Sequence, residues 1–331
     1  MKPVAFILEA SSLSGGVRVI FEYATRLKKR GHSVHIWSLG QAPGWFDLGD
    51  VHWAQFPNYD AMLGFMKQDG KGFNKVATWW RTAKLLNEDK GSLEKGEAFY
   101  LTQDLEVSYY YRVFEKQAVA ETYEYPMRKF TPNQWVASVL PMPCVGQAYD
   151  TQTFHRMKYT YPSDRVALAV MRRQALKGFC QLGEFSRRLK VLDSKAELWT
   201  LGVDGGQRLV GAHSAHFVNL PDAEVCKKYN EATVFVMSSL HEGFGLTALE
   251  AMACGTPVVC FKAEGNEVFC KHNVNCLMAE KGDVVTLAAY ALEAMKDKRL
   301  AKRLIDGGLA TAREYADWDS VIDKVEAILS K

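Results

Sequence analysis

The chain has 331 residues, 48% apolar and 24% charged, with a net charge of +3. That length holds two domains of ordinary size, and the composition is that of a soluble globular protein. The charge is too small to argue for nucleic-acid binding, no apolar run approaches the ~20 residues of a membrane span, and seven cysteines without a Cys-x-x-Cys pair give neither a disulfide framework nor a zinc site.

The first forty residues read as one β-α-β unit. Pro3 to Glu9 is a continuous apolar run, as in a strand buried on both faces. With one basic residue before it and no small-residue cleavage site after it, this is a first strand and not a signal peptide, and a cytoplasmic location is expected. Ser11 to Gly16 is a small-residue loop, Val17, Ile20, Ala24 and Leu27 fall at helical spacing, Gly31 stops the helix, and Ser33 to Trp37 is the next strand. The basic run Arg26-Leu27-Lys28-Lys29-Arg30 closes the helix where cations meet the negative end of its dipole. It admits a second reading as a patch for anionic lipid headgroups at the inner membrane face.

Further strands are predicted at Lys75 to Thr78, Ala98 to Thr102 and Lys129 to Thr131, with helical stretches between them. A second series begins near Arg165, with strands at Val166 to Val170, Glu197 to Leu201, His216 to Asn219, Thr233 to Met237 and Pro257 to Phe261. This alternation gives two α/β domains with parallel sheets. The proline-rich stretch from Pro141 to Gly146 and the polar residues to Ser163 make the linker, and the chain is helical after Asp283. The expected division is residues 1–155, 156–315 and a last helix over 316–331.

The strongest motif runs from His241 to Val259. A strand enters the glycine-containing loop Glu242-Gly243-Phe244-Gly245, and a helix opens at Leu246-Thr247. Such a loop frees the first N–H groups of a helix at the carboxyl end of a parallel strand, which makes an anion site. Glu242 and Glu250 flank it, and carboxylates beside a phosphate site suit a polyol. A second segment, Val170-Met171-Arg172-Arg173-Gln174-Ala175-Leu176-Lys177-Gly178, ends a strand and brings cations for a diphosphate.

The first motif resembles the Glu-x7-Glu signature of the retaining glycosyltransferases of family four, including its Glu-Gly-Phe-Gly core and its Glu-Ala-Met-Ala-x-Gly-x-Pro-Val-Val tail. The resemblance implies two Rossmann-like domains facing across a cleft, the GT-B architecture, with the last helix crossing back to the N-terminal domain. It implies a retaining transfer from a UDP-, GDP- or dTDP-linked sugar to a glycan, lipid-linked or small-molecule acceptor, with no metal and no other cofactor required. By the same resemblance Glu250 binds the ribose hydroxyls and Glu242 contacts the transferred sugar. Gly243, Phe244, Gly245, Leu246 and Thr247 line the donor. Arg172 and Lys177 neutralise the leaving diphosphate, as in the family's Gly-Arg-x4-Lys-Gly segment. The usual glycine before the arginine is Met171 here, and Arg173 is an alternative holder of the role. Gly15-Gly16 resembles the family's N-terminal glycine pair, which approaches the donor phosphates. Gly31-His32 also matches, with His32 read as turn chemistry.

Between residues 75 and 135 the chain departs from the family pattern and carries no evident counterpart of its acceptor-side histidine. Thr78-Trp79-Trp80-Arg81-Thr82, Tyr100 to Glu106 and Tyr109-Tyr110-Tyr111 look like a subgroup that contains bacterial surface-polysaccharide rhamnosyltransferases. On position alone, Gln103, Asp104 and Glu106 follow a predicted strand and are candidates for the acceptor site. Asp104 as a helix N-cap and Glu106 as a first-turn residue is the alternative. Six of the eight tryptophans precede residue 150, where aromatic faces suit sugar rings and core packing alike. Asp317-Trp318-Asp319 spells a metal motif of another glycosyltransferase architecture, but Asp319 or Ser320 is read as the N-cap of the last helix. His213-x-x-His216 lacks further ligands. Two other functions stay open: a nucleotide-sugar epimerase of the same architecture, and a non-catalytic nucleotide-sugar-binding protein.

Overall fold

The computed structural model describes residues 1–157, 162, 164–203 and 214–331. His213, and residues 158–161 and Ser163 of the polar stretch, lie outside the described residues. The chain divides into two units, Met1–Gln147 with Trp318–Lys331, and Ala148–Asp317.

In the first unit, β1 (Val4–Leu8), α1 (Gly15–Lys29), β2 (Val34–Ser38), β3 (His52–Gln55), α2 (Tyr59–Lys67), β4 (Asn74–Ala77), α3 (Trp80–Asn87), α4 (Lys90–Glu94), β5 (Ala98–Leu101), α5 (Val113–Thr122), β6 (Arg128–Phe130) and α6 (Gln134–Val139) follow one another. The strands form one sheet in the order β3-β2-β1-β4-β5-β6, every pair parallel. All five residues of β1 are buried, because the strand lies in the middle of a sheet covered on both faces. Helix α1 is capped by Ser14, whose hydroxyl accepts the Val17 N–H, and it buries Val19, Ile20, Tyr23, Ala24 and Leu27. Strand β3 was not foreseen, since its edge position leaves it half exposed and without an apolar period.

The second unit contains β7 (Val166–Val170), α7 (Phe179–Leu192), β8 (Glu197–Gly202), β9 (Ala215–Val218), α8 (Asp222–Glu231), β10 (Val234–Met237), α9 (Leu246–Ala253), β11 (Val258–Phe261), β12 (Cys276–Ala279), α10 (Val284–Lys296) and α11 (Lys298–Glu314). Its sheet runs β12-β11-β10-β7-β8-β9, again all parallel. Alternate residues feed two cores. Val166, Leu168, Phe235 and Met237 point to one, and Ala167, Ala169, Val234 and Val236 to the other. Both sheets therefore have the doubly wound order in which the chain reverses direction beside the first strand, between β1 and β4 and between β7 and β10.

The last helix, α12 (Trp318–Leu329), packs on α1 and belongs to the first unit. Trp318, Val321, Ile322, Val325 and Leu329 form its buried stripe. Trp318 meets Tyr23 edge to face, with the Arg26 guanidinium over its indole. Because the helix already begins at Trp318, Asp319 sits in its first turn and not at the N-cap position expected for it or Ser320. The Asp319 carboxylate pairs with Arg30 at 2.9 Å. Arg30 also reaches Asp323 and Glu326, and His32 meets Glu326 at 2.8 Å. The basic end of α1 thus faces an acidic stripe of its own unit.

Candidate active site

Three loops converge in the second unit at the carboxyl ends of β7, β10 and β11, which are neighbours in the sheet. The loop after β7 docks on the loop after β10 through two hydrogen bonds, from the N–H groups of Leu240 and His241 to the carbonyl of Leu176. Their approach is closest at Gly178, which has φ +70°. A Cβ there would stand 1.8 Å from the Ser238 carbonyl oxygen, so only glycine fits. The loop after β11 closes on the other side. Glu242 and Gly265 are hydrogen-bonded backbone to backbone, and a Cβ on Gly265 would lie 2.0 Å from the Gly243 oxygen.

This docking brings together two of the expected catalytic side chains. Lys177 donates to Glu242 Oε2 at 2.8 Å, and both side chains are largely shielded. Lys177 ends the short 3-10 turn Ala175–Lys177. Arg172, two residues beyond β7, is half-buried and Arg173 is exposed. Met171, where the family pattern has glycine, is fully buried in the core beside β7, and its N–H continues the ladder to Leu201. The loop therefore takes its path with a methionine anchored inward.

Helix α9 opens at Gly245, and Gly243, Phe244, Leu246 and Thr247 are each half-buried at this opening. Phe244 packs on Phe269 and Tyr315. Glu250, one turn before the end of α9, is buried and accepts a hydrogen bond from the Tyr229 hydroxyl at 3.3 Å.

Sequence reasoning missed Glu264. Its backbone has φ +59° and ψ −81°, a strained conformation for a residue with a side chain. The strain is held by reciprocal bonds with Glu267, and its carboxylate meets Lys281 and the His241 ring. The signal available was Gly265 after a buried strand, a mark of close backbone approach.

The first unit has its own constellation at the carboxyl end of its sheet. Gly15 and Gly16 open α1, and the Gln103 amide lies 3.4 Å from where a Gly16 Cβ would stand. Across the reversal point between β1 and β4, Arg81 pairs with Glu9 at 2.9 Å and lies over the Trp80 ring. Asp104 is buried, accepting from the Tyr109 hydroxyl at 2.6 Å and from the Leu105 N–H. No α-helix starts at Leu105. A 3-10 turn, Glu106–Tyr109, follows without a side-chain cap. Glu106 is 1% exposed and accepts from the Trp80 N–H at 2.6 Å and the Tyr100 hydroxyl at 3.1 Å. It caps α3 from a distance in sequence, and of the three expected acceptor residues only Gln103 is not fully buried. Burial pushes the Glu106 carboxyl well above the usual carboxylate range, against the pull of its hydrogen bonds.

Residues 161–310 match the family model for glycosyl transferases group 1. A 102-residue segment, 30% of the chain, is 35% identical to O-antigen chain mannosyltransferase B of Escherichia coli, and covers 26% of that protein. The chain thus matches about a quarter of the length of this curated relative. Among solved structures, sucrose-phosphate synthase from Thermosynechococcus elongatus superposes with a TM-score of 0.78 at 16% identity, over 100% of this chain and 98% of that one. HepE of Anabaena, in complex with UDP and glucose, does so with a TM-score of 0.81 at 14% identity, over the whole of both chains. At such identities the superpositions speak of fold. No helix among the described residues is long and apolar enough to cross a membrane. Residues 161–310 thus resemble the glycosyl transferases group 1 family, in a chain whose two parallel sheets have the GT-B fold.

Proposed function

We propose that the protein is a retaining glycosyltransferase of family four, moving a sugar from a nucleoside diphosphate sugar to a glycan, lipid-linked or small-molecule acceptor. The observation that carries this reading is the Lys177–Glu242 pair, set where three glycine-dependent loops meet at the reversal point of the second sheet. An ammonium at that point stabilises charge that develops on a departing diphosphate, and it does so with no reorganisation at the moment of reaction. Arg172 adds a second cation, and the opening of α9 adds its free N–H groups. Glu242 orients the transferred sugar, and Glu250 accepts the ribose hydroxyls. The HepE complex with UDP and glucose supports a donor of this class.

With these cations in place the leaving group needs no divalent metal, and its own phosphate oxygen takes the acceptor proton. Gly15 and Gly16 serve the donor phosphates, and Gln103 belongs to the acceptor side, with Asp104 and Glu106 holding its loop. The E. coli relative, named for O-antigen chain synthesis, fits a surface-polysaccharide acceptor, as does the rhamnosyltransferase-like stretch from Thr78 to Tyr111.

The test is a panel of UDP-, GDP- and dTDP-sugars, scored first for thermal stabilisation and then for acceptor-dependent release of nucleoside diphosphate. A donor that raises the melting temperature and is consumed only with acceptor supports transfer. Release of altered sugar without acceptor would identify an epimerase, and binding without turnover a nucleotide-sugar-binding protein.

A further inference from the structure

Cys260, Cys270 and Cys276 are 10 and 6 residues apart, a spacing that matches no metal motif. The fold nevertheless draws them together, with their Sγ atoms all within 4.8 Å of one another. Cys276 opens β12 opposite Val258 of β11, and Cys260 is two residues beyond Val258, so both sulfurs leave the same face of the sheet. Cys270 reaches them from the segment behind the strained Glu264 loop.

The backbone around each cysteine is tied down. The Cys270 N–H donates to the Asn266 carbonyl at 2.8 Å, the Cys276 carbonyl accepts the Asn273 N–H at 2.8 Å, and the Asn266 amide donates to the Phe261 carbonyl at 2.9 Å. The three side chains are at most 2% exposed, in a core with Phe269 and Met278. No carboxylate or imidazole joins the cluster among the described residues. Nearby, the His272 Nδ1 accepts the Met278 N–H at 3.0 Å and is not free to turn.

We propose that these three cysteines form a binding site for one soft d10 metal ion of the Cu(I) or Cd(II) class. A donor set of sulfur alone, in a dry site, selects such ions over hard cations. Zinc in structural sites takes four protein ligands, which this cluster does not offer. For a divalent ion, three thiols each lose a proton and three metal–sulfur bonds form, leaving one negative charge on the complex. The ion would join β11, β12 and the segment between them behind the Glu264 loop.

The experiment uses the full chain, reduced and stripped of metal, with Cys144→Ser and Cys180→Ser removing the thiols that lie outside the core. Anaerobic titration with Cd(II) should raise a thiolate-to-cadmium charge-transfer band that breaks at one equivalent, together with a higher melting temperature. Added Cys276→Ser or Cys270→Ala should remove most of the band, whereas Cys226→Ser should leave it intact. The last variant matters because Cys226 and Cys254 form a separate thiol pair at 3.7 Å. X-ray absorption on the 1:1 complex, which needs no core variant to fold, should count three sulfur neighbours. Absence of the band, its survival in Cys276→Ser, its loss in Cys226→Ser, or a first shell of nitrogen and oxygen would each overturn the site.

Discussion

Lys177 and Glu242 are 65 residues apart in the chain, and their side chains meet at 2.8 Å. Neither belongs to a long helix or a strand, so the pair rests on the backbone bonds that dock their loops. Lys177→Ala removes the cation proposed to meet the leaving diphosphate. Its turnover should fall by about 100-fold or more, the scale of one charge stabiliser lost from a preorganised site. The cost in stability should be about 1 kcal/mol, because a partly shielded pair contributes modestly. Steady-state kinetics at saturating donor, with circular dichroism as the control for folding, decides it. Unchanged turnover in a folded variant would remove Lys177 from the chemistry.

Glu250 and Glu242 should separate by the step they affect. Glu250→Ala deletes the buried carboxylate proposed to accept the ribose hydroxyls, and the expected loss is roughly 1.5–3 kcal/mol, or about 10- to 150-fold in affinity for the nucleoside diphosphate. Glu242→Ala should leave that affinity within about threefold and lower turnover instead. Calorimetric titration of both variants is the measurement, and an equal loss of affinity in the two would dismiss the proposed division.

Transfer should survive thorough chelation and gain nothing from added magnesium or manganese if Arg172 and Lys177 supply the charge as proposed. Activity abolished by chelator and restored by either ion would show that the leaving group depends on a metal.

Glu106 provides a pH signature. Its carboxyl titrates higher in the folded protein than in the unfolded chain, so the stability it contributes is fully present below about pH 4 and is lost as pH rises through the folded value. Glu106→Gln keeps an acceptor for the Trp80 N–H and removes the titration. The stability of the wild type relative to this variant should therefore decline from pH 5 to pH 8 in denaturant melts. Glu106→Ala should cost about 1–3 kcal/mol at pH 5, because the buried N–H of Trp80 loses its partner, and less at pH 8, since it too lacks the titrating carboxyl. A wild-type-to-Gln difference that is flat with pH would contradict this placement.

Arg30 and Trp318 hold α12 by different forces. Arg30→Ala should destabilise by about 1 kcal/mol, an effect that fades in high salt, because its partners are mostly exposed carboxylates. Trp318→Ala empties a buried site and should cost about 3–5 kcal/mol at any ionic strength. Thermal melts at low and high salt separate them. The same Arg30→Ala variant should bind anionic vesicles as the wild type does if the three carboxylates of α12 occupy the guanidinium.

Buried parallel strands declared themselves in the sequence because burial on both faces leaves an uninterrupted apolar run. Val166–Val170 was placed to the residue, and Val4–Leu8 within one residue at each end. His52–Gln55 was hidden because an edge strand needs no apolar pattern, and Cys276–Ala279 also went unforeseen. At the site, the glutamates and cations were legible as a motif. Their pairing was not, since it depends on loops docking at Gly178 and Gly265. Glu264 was missed for a similar reason: its place follows from a strained backbone angle, at which Gly265 alone hints. Glu106 was read as an acceptor-site candidate or a first-turn residue, and only the return of Tyr100, Tyr123 and the start of α3 around it made it interior.

The first unit is discontinuous, since α12 completes it after the whole second unit has intervened. On the ribosome, residues 1–147 emerge first, yet they wait for some 170 further residues before Trp318 can cover Tyr23 and the Leu329 carbonyl can accept from Asn74. During that interval the Tyr23 side of α1 stands uncovered in a nascent chain, while the second unit already has every strand of its own sheet. The order of synthesis and the order of completion are therefore opposite: the unit that is begun first is the one completed last.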